Sequence, residues 1–257
     1  MCLIVFAYRH HPRYSLILAA NRDEFYERPT SGAHFWEDHP DILAGRDLKY
    51  GGTWMGITRS GRFAAVTNFR DVSEFREHPL SRGLMVKDFL MGRASPEVFL
   101  QTIIPREEEY NGFNLLVGDL GSLVYYSNRS RRIKVLEPGI YGLSNHLLDT
   151  PWPKVLRTRQ AMSDLIDRTD PVDMAGLTCI LLDRMRAEDN DLPHTGLSLE
   201  WERVLSSPFI ITPTYGTRAS TVFLVDNSGH ARYEERSFAS PEDPGETVHY
   251  EFTITET

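Results

Sequence analysis

The chain opens with two apolar runs that flank a short polar turn. "CLIVFAY" begins at Cys2, "SLILAAN" ends at Asn21, and "RHHPR" joins the two runs. Short runs of this kind, bounded by turn residues, are typical of β-strands, so the segment predicts a β-hairpin. Antiparallel pairing about a turn at 10–13 joins positions whose numbers add to about 24 or 25. The start of the first strand therefore lies beside the end of the second.

This register places a cysteine beside the polar sequence "NRDE". Cys2 falls opposite Arg22 or Asp23. Removal of Met1 would make Cys2 the N-terminal residue, and its α-amine, with an ordinary pKa of about 7.7–8.0, could act as general base for the thiol. We expect Asp23 to hold the ammonium group and Arg22 to lower the pKa of the thiol. The alternative interpretation is a small core cysteine followed by a strand end that caps a turn.

The composition excludes several function classes. A formal net charge of −8 over 257 residues argues against a general nucleic-acid binder. No stretch of about eighteen apolar residues is present, so no transmembrane segment is expected. The two cysteines, Cys2 and Cys179, suit a reducing cytoplasm. Motifs such as CxxC, HExxH, GxxxxGK[ST] and GxSxG are missing, and no metal site is predicted.

Strand and helix patterns come in blocks rather than in alternation. A loop rich in Pro, Gly and Asp is expected to about Tyr50, followed by a hairpin of "GTWMGIT" and "RFAAVTNF". Helices are expected after Ser81 and from Pro96, then strands, two more helices, and strands again. Blocks of this kind favour α+β layers over βαβ units. We predict a single domain over 1–257.

The late helices carry two further expectations. In "PWPKVLRTRQAMSDLID", one apolar stripe is expected to face the core and contains Trp152, Val155, Leu156, Met162, Leu165 and Ile166. Cys179 lies on an apolar helical pattern and is expected to be an inert core thiol. If its α-amine activates the Cys2 thiol, Cys2 should be the faster of the two thiols toward iodoacetamide.

Three motifs together carry a family resemblance. "ANRDEFYERPT", "GGTWMGIT" and "TNFRD" resemble the NRDE protein family, which is also called the transport and Golgi organization protein 2 family. The resemblance covers essentially the whole chain. That family in turn is similar to N-terminal-nucleophile (Ntn) hydrolases of the choloylglycine hydrolase and penicillin V acylase type. The resemblance implies an α+β fold, a four-layer αββα sandwich of antiparallel sheets.

The same resemblance implies a set of site residues. Cys2 matches the nucleophile, Asp23 the aspartate that holds its amine, Asn68 an oxyanion donor and Asn145 an asparagine that binds the substrate amide. The expected substrate-binding residues are Asn21, Arg22, Glu24 and Arg218. In those hydrolases an arginine precedes the aspartate by three residues, where this chain has Ala20. The implied activity is hydrolysis of a linear amide C–N bond without a required cofactor.

A second function follows from the same resemblance. Members of the family are associated with haem trafficking and with the handling of acyl-CoA-like lipids. The alternative is therefore a non-catalytic binding or trafficking protein, with haem as a bound ligand rather than a required cofactor. His10, His11 and His146 could ligate haem iron, but their spacing does not distinguish them from ordinary histidines. The expected partner is a small amide or a hydrophobic metabolite.

Overall fold

The computed structural model describes residues 2–73, 79–119, 121–243 and 245–255. They form two compact units. The first unit contains the residues up to Glu27, Glu137–Ser144 and Leu148–Glu251. The second unit contains Arg28–Leu136, Asn145–Leu147 and the residues from Phe252 on. The single-domain organisation expected from the sequence stays a prediction.

The strands and helices follow one another in blocks. The strands are β1 (Cys2–Tyr8), β2 (Tyr14–Phe25), β3 (Thr30–Phe35), β4 (Ile42–Asp47), β5 (Met55–Thr58), β6 (Phe63–Asn68), β7 (Phe113–Gly118), β8 (Leu123–Ser127), β9 (Arg132–Val135), β10 (Gly139–Leu143), β11 (Tyr215–Asp226), β12 (His230–Ser237) and β13 (Glu246–Thr253). The helices are α1 (Arg82–Met91), α2 (Pro96–Ile103), α3 (Pro153–Ile166), α4 (Met174–Leu181) and α5 (Leu199–Leu205).

The first unit is built on a six-stranded sheet with the order β10-β1-β2-β11-β12-β13. Its central strands pair antiparallel. Helices α3 and α4 cover one face, where Val5 and Ala19 of the sheet belong to one apolar core with Met162 and Leu177 of the helices. Because side chains alternate along a strand, the odd-numbered residues of β1, and those of β2 from Ile17 on, face these helices.

The second unit is built on a seven-stranded antiparallel sheet with the order β3-β4-β5-β6-β7-β8-β9. Helices α1 and α2 pack on this sheet, and Met85, Phe89 and Leu100 share a core with Val66 and Leu115. Both helices begin where the sequence predicts. Ser95 caps α2 by accepting the backbone N–H of Val98 on its hydroxyl oxygen.

The expected loop up to Tyr50 is wrong, because this segment contains β3 and β4. Ile42, Leu43 and Ala44 are buried, and β4 pairs with β3 on one side and β5 on the other. Strand β3 is at the edge of the sheet and buries only Ala33 fully, so its sequence lacks an apolar run. Edge strands need few apolar residues, and their sequence pattern is therefore weak.

The apolar stripe predicted for α3 is also partly wrong. Leu156 is 48% exposed, whereas Lys154 is only 1% exposed. Val155, Met162 and Ile166 are buried as expected. Hydrophobicity does not indicate which side of the first turn faces the sheet, and here a whole lysine side chain, including Nζ, is buried. Among the helices that the structure describes, none is long and apolar enough to cross a membrane.

Candidate active site

The first hairpin has the register that the sequence predicts. Cys2 pairs with Arg22, and Leu3 pairs with Asn21. Residues directly opposite each other in an antiparallel pair share one face of the sheet, so Cys2 and Arg22 lie on the same face. The backbone N–H of Asp23 also donates a hydrogen bond to the sulfur of Cys2. The beginning of β1 is thus joined to the polar cluster through both side chain and backbone.

The "NRDE" sequence does not end its strand, because β2 continues to Phe25. Strand β2 pairs with β1 on one side and with β11 on the other, so the polar residues have backbone partners. Alternation along β2 then separates the cluster into two groups. Asn21 and Asp23 lie on the face covered by the helices, and Arg22 and Glu24 lie on the face that carries Cys2.

The Cys2 side chain is buried, and its backbone is fixed by a side-chain hydrogen bond. The residue is 7% exposed, and Ser144 donates a hydrogen bond of 2.9 Å from Oγ to the Cys2 carbonyl oxygen. Burial raises the pKa of the Cys2 thiol, the Asp23 carboxylate raises it further, and Arg22 lowers it. Arg22 acts in the expected direction, but loss of hydration outweighs it in this chain; the lowered pKa expected of a Cys2 thiol activated by its own α-amine stays a prediction. At neutral pH the thiol in this structure is protonated.

Asp23 is a buried carboxylate with a defined set of partners. It is 1% exposed, and Thr217 donates a hydrogen bond of 2.7 Å from Oγ1 to Oδ1. Burial raises the pKa of Asp23, while the positive charge of Lys154 and the hydrogen bond from Thr217 lower it. Sequence reasoning missed both of these residues. Lys154 lies within an otherwise apolar turn, and no sequence pattern indicates that it faces a carboxylate.

Asn21 uses its whole amide group inside the protein. Its Nδ2 donates to the carbonyl oxygens of Leu181 at 2.8 Å and Pro208 at 2.9 Å. Its Oδ1 accepts a hydrogen bond of 2.7 Å from Ser220 Oγ. Asn21 is fully buried. These bonds tie β2 to α4 and to the segment after α5, and they favour a structural role over the expected substrate contact.

Arg22 and Arg218 have different surroundings. The Arg22 side chain is 12% exposed and forms a long ion pair of 3.7 Å with Glu24. Arg218 lies at a register irregularity of β11. It donates Nη1 to the carbonyl oxygens of Phe25 at 3.0 Å and Tyr26 at 2.9 Å. Burial and the charge of Arg22 lower the pKa of Arg218. Arg218 is therefore fixed against the backbone, whereas Arg22 is held more loosely.

The second unit brings the two asparagines Asn68 and Asn145 together. Asn145 donates a hydrogen bond of 3.1 Å from Nδ2 to the carbonyl oxygen of Asn68, which ends β6. The backbone N–H of Arg70 donates to the Asn145 carbonyl oxygen at 2.7 Å. Asn114, which sequence reasoning missed, donates 2.9 Å from Nδ2 to the His146 carbonyl oxygen. The segment around Asn145 is thus fixed to the ends of β6 and β7.

The second cysteine, the possible metal ligands and His146 are weaker candidates for a functional site. Cys179 is exposed on α4, which contradicts the expected core position, because the buried face of this short helix is formed by Leu177 and Leu181. Within the described parts of the chain, no group of three or more His, Cys, Asp and Glu side chains is arranged to hold a metal ion. His146 packs against Phe69 at 4.7 Å between ring centroids, and burial lowers its pKa.

Comparison with a solved structure identifies the fold class. The crystal structure of the C2A mutant of conjugated bile acid hydrolase from Clostridium perfringens matches with a TM-score of 0.55 at 10% sequence identity. The match covers 100% of this chain and 98% of that chain. This likeness confirms the expected α+β fold of the Ntn-hydrolase type, with two antiparallel sheets and helices.

Sequence comparison identifies the family. The chain is 37% identical to the transport and Golgi organization protein 2 homolog of Bos taurus over 276 residues, covering 99% of both chains. It is also 37% identical to the homolog of Homo sapiens, again covering 99% of both. The sequence profile of the family described as Transport and Golgi organisation 2 matches residues 1–240. The chain therefore belongs to the Transport and Golgi organisation 2 family.

Proposed function

We propose that the chain is a cysteine-dependent hydrolase of linear amide C–N bonds, with Cys2 as nucleophile after removal of Met1. Met1 lies outside the residues that the structure describes, so its removal is part of the proposal. One observation carries it: Cys2 pairs directly with Arg22 and its sulfur accepts the backbone N–H of Asp23. The thiol and a cation therefore share one face of the sheet, next to the backbone of a residue whose carboxylate lies on the other face.

A thiol with a raised pKa needs a base before it can attack a carbonyl carbon. After removal of Met1, the α-amine of Cys2 can act as this base, because it belongs to the same residue as the thiol. This amine belongs to the backbone and so is not confined to one face of the sheet. Asp23 lies one residue beyond the strand partner of Cys2 and is suited to hold the resulting ammonium group.

The reaction follows from these roles. The Cys2 thiol transfers its proton to the α-amine as the sulfur bonds to the amide carbonyl carbon. The C–N bond then breaks, the ammonium group returns the proton to the leaving nitrogen, and a thioester remains. Water hydrolyses the thioester to a carboxylic acid and restores the thiol. The products are one amine and one carboxylic acid.

Asn68 is the proposed oxyanion donor, and Asn145 is proposed to bind the substrate amide. Within the described residues the side-chain amide of Asn68 makes no hydrogen bond, and its donors are available. The bond from Asn145 fixes the Asn68 backbone. The bile acid hydrolase with a similar fold was solved as its C2A mutant, so the unmutated enzyme has a cysteine at position 2. This supports Cys2 as the residue to test.

The long ion pair of Arg22 favours a second candidate, a carrier for anionic hydrophobic metabolites such as haem or an acyl-CoA-like lipid. A guanidinium that is 12% exposed and 3.7 Å from its carboxylate partner can bind a ligand carboxylate or phosphate more closely. Glu24 is proposed to orient Arg22, and Arg218 to maintain the positive potential. This function needs neither a free amine nor a nucleophile.

The test begins with intact-mass measurement of the native protein, because retention of Met1 would exclude the α-amine mechanism. Amide-hydrolysis screens and titrations with haem and acyl-CoA are then made on the wild type, Cys2→Ser and Asn68→Ala, with Cys179→Ser as the matched cysteine control. For a hydrolase, Cys2→Ser abolishes turnover, Cys179→Ser keeps it, and Asn68→Ala loses about 10²–10³ in kcat. No turnover by the processed wild type, with tight ligand binding that Arg22→Ala weakens, would support the carrier instead.

A further inference from the structure

A cavity of about 160 Å³ lies in the first unit, away from Cys2. Its walls include Arg184, Phe209, Thr217, Arg236, Phe238 and Asp243. Arg236 pairs with Ser220, which pairs with Asn21, so this lining belongs to the helix-covered face of the sheet. Cys2 and Arg22 occupy the opposite face. The cavity thus lies on the other face of the sheet from Cys2, and the bond from Thr217 to Asp23 links it to the proposed catalytic residues.

The size and walls of the cavity fit one small apolar group. An apolar cavity of about 150 Å³ in a protein is large enough to bind benzene. The rings of Phe209 and Phe238 meet edge to face with their centroids 5.1 Å apart. The guanidinium of Arg184 lies 5.4 Å from the Phe209 ring, and that of Arg236 lies 5.5 Å from the Phe238 ring. Two aromatic walls therefore each carry a cation.

The charged side chains that line the cavity are Arg184, Arg236 and Asp243, which together carry a net charge of one positive unit. Asp243 accepts the backbone N–H groups of Ala239 at 2.6 Å and Gly245 at 2.9 Å. These bonds and the nearby Arg236 lower the pKa of Asp243, which is therefore ionised at neutral pH. Arg184 forms neither an ion pair nor a hydrogen bond within the described parts of the chain, and its contact is the face of Phe209. A single negative charge would neutralise the cavity.

Thr217 limits where the polar end of a ligand can bind in the cavity. Its hydroxyl donates to Asp23 at 2.7 Å and accepts the backbone N–H of Ile210 at 3.0 Å. Both roles of this hydroxyl are used inside the protein, so the wall at Thr217 has little capacity left for a polar ligand group. The polar end of a ligand must therefore lie at the arginines.

We propose that this cavity binds a small monocarboxylate whose apolar body is about one six-membered ring or a short alkyl chain in size. The apolar body packs against the rings of Phe209 and Phe238 on the side that faces the cavity, and the carboxylate accepts hydrogen bonds from Arg184. Arginine suits this task because its planar guanidinium matches the two oxygens of a carboxylate. The proposal does not depend on the hydrolase reaction, because no residue of the lining is assigned a catalytic role.

The experiment uses benzoate as the probe, in calorimetric titrations of the full chain. Benzyl alcohol, benzylamine and inorganic phosphate serve as comparisons for charge and shape. Two variants are matched: Arg184→Gln and Arg186→Gln each remove one exposed positive charge from the segment after α4, but only Arg184 lines the cavity. Circular dichroism confirms that both variants are folded.

The expected result is saturable binding of one benzoate per chain. Arg184→Gln weakens it by about tenfold or more, since hydrogen bonds to charged groups are among the stronger polar interactions. Arg186→Gln changes it less than about twofold. Equal weakening by both variants would show a response to net charge alone and overturn the proposal. If benzyl alcohol binds as tightly as benzoate, the ligand needs no carboxylate. If phosphate binds more tightly than benzoate, the ligand needs no apolar body. Either result would overturn the proposal.

Discussion

Thr217 donates a hydrogen bond of 2.7 Å from Oγ1 to Oδ1 of Asp23, across the pair formed by β2 and β11. The two residues are separated by 194 positions in the sequence. This bond lies on the helix-covered face of the sheet and holds the carboxylate that the hydrolase proposal assigns to the Cys2 ammonium group. The orientation of Asp23 therefore depends on a strand from the far end of the chain.

Replacing Thr217 by valine should destabilise the first unit. Valine keeps the shape of threonine but removes the donor to Asp23 and the acceptor for the Ile210 backbone N–H. We expect the free energy of unfolding in urea to fall by about 1.5–3 kcal/mol, as for other hydrogen bonds to charged groups. Thr217→Ser keeps the hydroxyl and serves as the control. A loss in Thr217→Val no larger than that in Thr217→Ser would contradict a dominant contribution from the two hydrogen bonds.

The titration of Asp23 should make the free energy of unfolding depend on pH. Burial raises its pKa in the folded protein above the ordinary value of 3.8, so the folded state binds this proton more tightly than the unfolded state. Its contribution to stability is complete below the unfolded pKa and is lost as the pH rises through the folded pKa. Asp23→Asn stays neutral, so its stability relative to wild type should increase from about pH 4 to pH 7.

Unfolding curves at several pH values test this expectation. Asp191→Asn is the control, because it removes one negative charge from an exposed position. A relative stability of Asp23→Asn that stays flat or decreases over the same range would contradict a raised pKa.

Lys154 and Asp23 should be energetically coupled. Lys154 is 1% exposed, and its charge lowers the pKa of Asp23. Lys154→Met keeps most of the buried chain length and removes the charge. In a double-mutant cycle with Asp23→Asn, we expect a coupling of about 0.5–3 kcal/mol in the free energy of unfolding. Additive effects of the two substitutions would show that the charges do not interact.

The two thiols should label in the order opposite to that expected from the sequence. Cys179 is exposed, whereas Cys2 is 7% exposed and burial raises its pKa. In the chain that retains Met1, iodoacetamide at neutral pH should modify Cys179 faster, because Cys179 is accessible and the raised pKa of Cys2 lowers its thiolate fraction. Peptide mass spectrometry of the native protein measures both rates. In urea the two rates should become similar.

Local patterns in the sequence determined the first hairpin and most of the secondary structure. Two apolar runs about "RHHPR" are sufficient to pair Cys2 with Arg22, because antiparallel register follows from the position of the turn. The start of α2 at Pro96 is equally local, since the cap from Ser95 and the proline act within one turn, whereas Ser81 precedes α1 without a side-chain cap bond. The family followed from three short motifs.

Only the tertiary structure decided which polar groups meet and which are buried. Thr217 reaches Asp23 because β11 pairs with β2, and Lys154 reaches the same carboxylate because α3 turns that side toward the sheet. Strand β3 and the exposure of Cys179 also depend on what each element packs against. The raised pKa of Cys2 has the same origin: loss of water around a thiol is a property of the assembled sheet, and the residues beside it in the sequence do not reveal it.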